Sequence, residues 1–118
     1  MRSNLRLKVL AMDSEPIVVF ITTATREEAA RLADMLVGAR LAACVQILPE
    51  MESVYRWEGK IQRQSETMII AKSTLDKFEE LERQVCAIHT YETPEIVAVP
   101  IAAMSGPYLN WLNQSLKS

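Results

Sequence analysis

A chain of 118 residues, 49% hydrophobic and 24% charged, is long enough for one globular domain and too apolar to stay disordered. A formal charge of -2 leaves no polycationic face, which argues against nucleic acid as a partner. No apolar run nears the roughly 20 residues that span a bilayer, so no membrane partner is expected. Two cysteines, Cys44 and Cys86, with no CxxC spacing make no disulfide framework and fit a reducing compartment, the cytoplasm by default.

Residues 1–15 read differently from the rest: Arg2, Arg6 and Lys8 alternate with leucines and lack the apolar core of a signal peptide. They are expected to form an N-terminal tail, and as a transit-peptide remnant they would make the location organellar. Residues 16–118 are expected to form the domain.

Ile17 to Ile21 is a continuous β-branched and aromatic run, the pattern of a strand covered on both faces. Thr25 with Glu28 three residues on is a capping box that opens a helix. Ala29, Leu32, Ala33 and Leu36 give that helix a thin apolar stripe, and Gly38 either ends it or weakens its last turn. A second strand runs from Ala42 to Leu48, where Pro49 demands an edge or a bulge. Val54 to Trp57 alternates, with Tyr55 and Trp57 on one face. Glu58-Gly59-Lys60 is a tight turn, and the return strand extends to Lys72 with Met68 to Ala71 as its buried part.

Ser73 or Thr74 caps a second helix whose apolar face is Leu75, Phe78, Leu81, Val85 and Ile88, ending near His89. Cys86, next to Val85, is expected to be half-buried. Ile96 to Val99 is a last strand between Pro94 and Pro100. Gly106-Pro107 then opens a short helix carrying Tyr108, Leu109, Leu112 and Leu116.

The order strand, helix, strand, strand, helix, strand predicts an α+β fold: a ferredoxin-like βαββαβ sandwich with an extended central hairpin and a short C-terminal helix. Right-handed crossovers put both helices on one sheet face, so the other face needs a cover that the chain has no residues left to supply. Self-association supplies it, and a head-to-tail contact through the overhanging hairpin closes as a ring, predicting a homotrimer.

The stretch from His89 to Pro100 gathers His89, the sole histidine, with Tyr91, Glu92 and Glu95 at the mouth of an apolar strand. His89 just past a helix end can cap orphan carbonyls or ligate a metal. Cys44 is the nearest thiol to offer with it, or else a small hydrophobe in its strand. Glu92 and Glu95 flank Thr93-Pro94, whose extended bias keeps the carboxylates apart, so no acid–base couple is indicated. Lys72 and Glu66 suit an ion pair across a subunit seam, and Tyr55 and Trp57 suit interface anchors. With no Ser-His-Asp order, no phosphate-cradling loop and no metal-ligand spacing, no catalytic residues are expected and the protein is read as a non-enzyme.

Several segments together resemble the CutA family of divalent-cation tolerance proteins. They are Leu41-Ala42-Ala43-Cys44-Val45, Ser53 to Ile61, Ile69-Ile70-Ala71-Lys72, His89 to Ile96, and Tyr108-Leu109-Asn110-Trp111. The resemblance implies a trimer similar to PII signalling proteins and a role in tolerance of divalent metals, copper especially. It departs at Gln46 and Thr90, and Ile21 and Ile88 stand where some members carry a cysteine and a histidine. The reading that follows is a homotrimer whose inter-subunit clefts bind ligands through Trp57, Lys72, His89, Tyr91, Glu92 and Glu95. Copper or another divalent metal would be held by His89 and Cys44, with no organic cofactor. The rival readings are a sensor of a small anionic metabolite held by Lys72 and His89, and a trimeric interaction scaffold.

Overall fold

The computed structural model describes residues 14–117, so nearly all of the expected N-terminal tail lies outside the described residues. In chain order the elements are β1 (Pro16–Thr23), α1 (Arg26–Gly38), β2 (Cys44–Trp57), β3 (Lys60–Thr74), a 3-10 turn (Leu75–Lys77), α2 (Phe78–Ile88), β4 (Ile96–Pro100) and α3 (Gly106–Leu116). The sheet order is β2-β3-β1-β4 with every pair antiparallel, which is the ferredoxin-like arrangement.

Strand alternation divides the sheet cleanly. Ile17, Val19, Ile21, Ile69 and Ala71 turn towards the helices and pack with Ala29, Leu32 and Leu36 of α1 and Leu81 and Val85 of α2. On the opposite face Val18, Phe20 and Ile70 are half-buried, while Val97 and Val99 are exposed. The expectation that Ile17 to Ile21 is buried on both faces is therefore corrected for a single chain: α1 and α2 lie on one side, and the other side stays bare.

Two strand segments expected on either side of Pro49 are one strand. β2 is an edge strand, its register with β3 shifts between Leu48 and Met51, and Glu50 sits at φ 61. Pro49 cannot donate to a ladder, and an edge bulge is where its missing N–H does least harm. At the far end Trp57 pairs with Lys60 across a two-residue turn in which both Glu58 (φ 51) and Gly59 (φ 80) are left-handed. That is the type I′ geometry whose twist matches paired strands. β1 pairs with β3 only as far as Thr23↔Thr67, so the hairpin beyond Thr67 has no third strand.

Helix termini follow local chemistry. The Thr25 hydroxyl accepts the Glu28 N–H at 3.1 Å and caps α1. Gly38 is the last helical residue, and Arg40, at φ 58, makes the left-handed exit. Thr74 precedes the 3-10 turn but spends its hydroxyl on Asp76 Oδ1 at 2.5 Å instead of on a backbone amide. Ser105 caps α3 by accepting the Tyr108 N–H, and Leu112 and Leu116 bury this helix against Ala43.

Two expectations for α2 are corrected. Ile88 is 52% exposed and Cys86 is exposed, because the buried positions run Leu81, Val85, His89 at a spacing of four. Ile88 and Cys86 each sit about 100° round the helix from that line.

Candidate functional site: a buried histidine network beneath a hairpin groove

His89 ends α2 and carries its ring under the sheet's open end. Its Nε2–H donates to the Thr22 carbonyl at 2.7 Å, and its Nδ1 accepts the Tyr91 N–H at 3.0 Å. These partners assign the neutral Nε2–H tautomer and occupy both ring nitrogens. The Glu28 carboxylate lies 3.4 Å from Nδ1 and accepts the Thr90 N–H at 2.8 Å and the Thr90 hydroxyl at 3.1 Å. Burial alone would push the Glu28 carboxyl up. The Thr90 amide and hydroxyl and the Ala24 amide lower it, and it is held below its ordinary value. Glu28 thus does not make the reciprocal half of the expected capping box. Its side chain ties α1 to the loop after α2 instead.

Tyr91 leaves that network on the other side. Its hydroxyl donates to Glu66 Oε2 at 2.7 Å and accepts from Gln64 Nε2 at 3.1 Å. Gln64 Oε1 accepts the Tyr55 hydroxyl at 2.8 Å, and Ser53 donates to Glu66 Oε1 at 2.5 Å. Burial first, and then the neighbouring Glu66, push the Tyr91 hydroxyl well above its ordinary value, so it stays a donor. The pairings Tyr55↔Gln62, Ser53↔Gln64 and Met51↔Glu66 put these side chains on one face of the hairpin. They form an open groove of about 470 Å³ lined by Tyr55, Trp57, Gln62, Gln64, Glu66 and Tyr91.

The other expected site residues fall elsewhere. Cys44 pairs with Lys72, whose ammonium is hydrogen-bonded to Gln46 Oε1. Met68, the partner of Thr22, lies four residues along β3 from Lys72, roughly 13 Å of strand. Cys44 and Lys72 are thus at the opposite end of the sheet from His89. The Tyr108 hydroxyl is raised by burial and by the Cys44 thiol against it, so Cys44 belongs with α3. Glu92 and Glu95 are exposed.

The expected metal pair of His89 and Cys44 is therefore not assembled within one chain. Both imidazole nitrogens are committed, and no group of three His, Cys, Asp or Glu side chains suited to a metal occurs among the described residues. The anion pair of Lys72 and His89 is separated in the same way. Lys72 and Glu66 stand six residues apart on β3 with different partners, so an ion pair between them would have to cross between chains, as expected. Trp57 and Tyr91 do share the groove, and with them come Glu66, Gln62 and Gln64. The glutamines had a readable signal: once Glu58-Gly59 is the turn, counting back pairs Tyr55 with Gln62 and Ser53 with Gln64.

Sheet order, antiparallel register and the long hairpin with its groove define a ferredoxin-like α+β protein. The model of the family described as "CutA1 divalent ion tolerance protein" matches residues 17–115, and the chain belongs to that family. It is 44% identical over 98 residues to the divalent-cation tolerance protein CutA of Thermus thermophilus, covering 83% of this chain and 95% of that protein. It is 41% identical over 116 residues to the chloroplastic protein CutA of Arabidopsis thaliana, covering 98% of this chain but 64% of that longer relative. The crystal structure of CutA1 from Oryza sativa superposes with a TM-score of 0.84 at 41% identity, covering 87% of this chain and 94% of that one. Among the described residues no helix is long and apolar enough to cross a membrane.

Proposed function

We propose that this chain works as a non-catalytic homotrimer in divalent-cation tolerance, copper included, and binds its ligands in clefts between subunits. Each cleft is built on the Trp57–Tyr91 groove of one chain. The observation that carries the assembly is the bare sheet face, where Val18, Phe20, Ile70, Val97 and Val99 form an apolar surface with no helix over it. The overhanging hairpin and the free edge of β2 give a head-to-tail contact that closes as a ring. Family membership supports the cation role. The non-catalytic reading rests on His89, whose two nitrogens are spent on backbone groups, so the chain's one imidazole offers no free base. In this reading His89 holds the Tyr91 backbone in place, and any cation draws its ligands from more than one chain.

Sedimentation equilibrium tests the assembly: a mass of three times 13.3 kDa is expected, and a monomer or dimer overturns it. A copper titration against a competing chelator tests the cleft. Binding by the assembled protein that a monomeric Val97→Asp/Val99→Asp variant loses is the expected outcome. Copper binding of equal strength in the monomer places the site within one chain, and absence of binding removes copper from the reading.

A further inference from the structure

β1 stops at Thr23↔Thr67, and the β2–β3 register breaks between Leu48 and Met51, directly across from Thr67. The third strand and the regular ladder thus end at the same level of the sheet. From there Met51 to Glu66 run on as a two-stranded arm, and the joint is a bulge with Glu50 at φ 61. A bulge leaves residues unpaired and bends its strand, so it is a place where a ribbon can pivot. Beside the joint an open cleft of about 470 Å³, with Arg26, Glu50, Ser65 and Glu66 in its lining, gives the arm room to tilt. Arg26 shares that cleft with Glu66, but among the described residues no ion pair joins them.

Most bonds of the arm stay within it: Arg63 with Glu52, Ser53 with Glu66, Tyr55 with Gln64 and Arg56 with the Gly59 carbonyl. Among the described residues, the side-chain hydrogen bonds that reach from the arm to the body both use one atom. The Tyr91 hydroxyl donates to Glu66 and accepts from Gln64. The loop that carries this phenol is tied to three elements of the body. The Tyr91 N–H donates to His89 at the end of α2, His89 donates to the Thr22 carbonyl of β1, and Thr90 donates twice to Glu28 of α1. The His89 and Glu28 side chains are buried, and no buried side-chain polar atom there lacks a partner. A fully satisfied buried network is rigid.

We propose that Met51 to Glu66 is a hinged arm, that the Tyr91 hydroxyl is its latch, and that the Glu28–Thr90–His89 network is the post holding the latch. Latched, the arm stands at one angle; released, it swings about the bulge. The device lies within one chain. Joined to the homotrimer reading, on which this last step rests, it readies the arm for the neighbouring copy, because an arm already at the docking angle loses less freedom on assembly. Tyr91 and Glu28 are positioning residues in this scheme.

Spin labels on Cys86, exposed on α2, and on Val54→Cys, on the arm face turned away from Tyr91, report the angle as a distance, with Cys44→Ala removing the other thiol. In the monomeric Val97→Asp/Val99→Asp chain one narrow distance is expected. Tyr91→Phe should spread it into a broad distribution, and Glu28→Gln, whose site bonds to no arm residue, should broaden it in part. Thr25→Ala, a cap loss away from the arm, should leave it narrow. A distance already broad with Tyr91 in place, one that stays narrow in Tyr91→Phe, or one that widens equally in Thr25→Ala overturns the latch. One that stays narrow in Glu28→Gln overturns the post. Hydrogen exchange of the unlabelled chain keeps the test decisive if the monomeric variant fails to fold. Tyr91→Phe should speed exchange of the arm amides at least tenfold more than Thr25→Ala does, and equal rates overturn the latch. In the otherwise unchanged chain, Tyr91→Phe should raise the dissociation constant of the trimer at least tenfold by fluorescence-detected sedimentation. An unchanged constant overturns the coupling to assembly. A monomeric wild type overturns the trimer reading and that coupling with it, while the distances still decide the latch.

Discussion

Replacing Glu28 with glutamine tests the internal tie between α1 and the loop after α2. The carboxylate is buried and accepts two hydrogen bonds from Thr90, at 2.8 and 3.1 Å. Hydrogen bonds to a charged partner contribute about 1.5–3 kcal/mol each, and neutral ones about half of that. Glutamine keeps the volume and one acceptor, but its NH2 group then faces the second Thr90 donor. One charge-assisted bond is lost and the other is weakened, so Glu28→Gln should cost about 2–3 kcal/mol at pH 7. Urea unfolding reads this directly, at a fixed protein concentration because the proposed trimer would make stability depend on concentration. The sign of the pH dependence follows from the depressed carboxyl. The folded value lies below the ordinary 4.5, so the contribution is complete above 4.5 and is lost as pH falls through the folded value. The gap between wild type and Glu28→Gln should therefore be flat from pH 7 to about 5 and shrink below that. A cost under about 0.5 kcal/mol, or a gap that does not change down to pH 3, would refute the assignment of the Thr90 bonds.

Tyr91→Phe removes a hydroxyl that joins Gln64 to Glu66 and should cost about 1–2 kcal/mol in the same urea assay. Because Tyr91 is raised above its ordinary 10.0, its contribution is present below pH 10 and lost as pH rises past that, so the variant should be less sensitive to alkali than wild type. Thr25→Ala removes the cap bond to Glu28 N–H and should lower stability by about 1 kcal/mol. Glu58→Asn should raise the thermal midpoint, since Glu58 is left-handed at φ 51 and asparagine tolerates that region better; a lower midpoint would contradict the turn.

Most of the fold was legible because its signals are local. The run Ile17 to Ile21, the stripe Leu32–Leu36 and the turn Glu58-Gly59 each announce an element without help from the rest of the chain. Pro49 announced a bulge for the same reason, a missing donor that any strand must accommodate. The site was less legible because its bonds join distant segments. Nothing near Glu28 says that its partner is Thr90, and the local reading, a capping box, uses the same side chain differently. His89 reads locally as a helix cap or a metal ligand, yet its place in the line Leu81, Val85, His89 carries it under Thr22. Cys44 and His89 look like natural metal partners by chemistry alone, and only strand register shows them at opposite ends of the sheet.

The hairpin beyond Thr67 carries a consequence for dynamics. Two strands without a third are marginal on their own, whereas the segment held by β1 shares the stability of the core. Amide hydrogens from Met51 to Glu66 should therefore exchange faster in dilute solution than those of Val19 or Ile69. Their protection should climb with protein concentration while that of the core stays put. Most of the groove residues sit on that stretch, so under the proposed trimer the order of the groove would be coupled to how many copies of the chain are present.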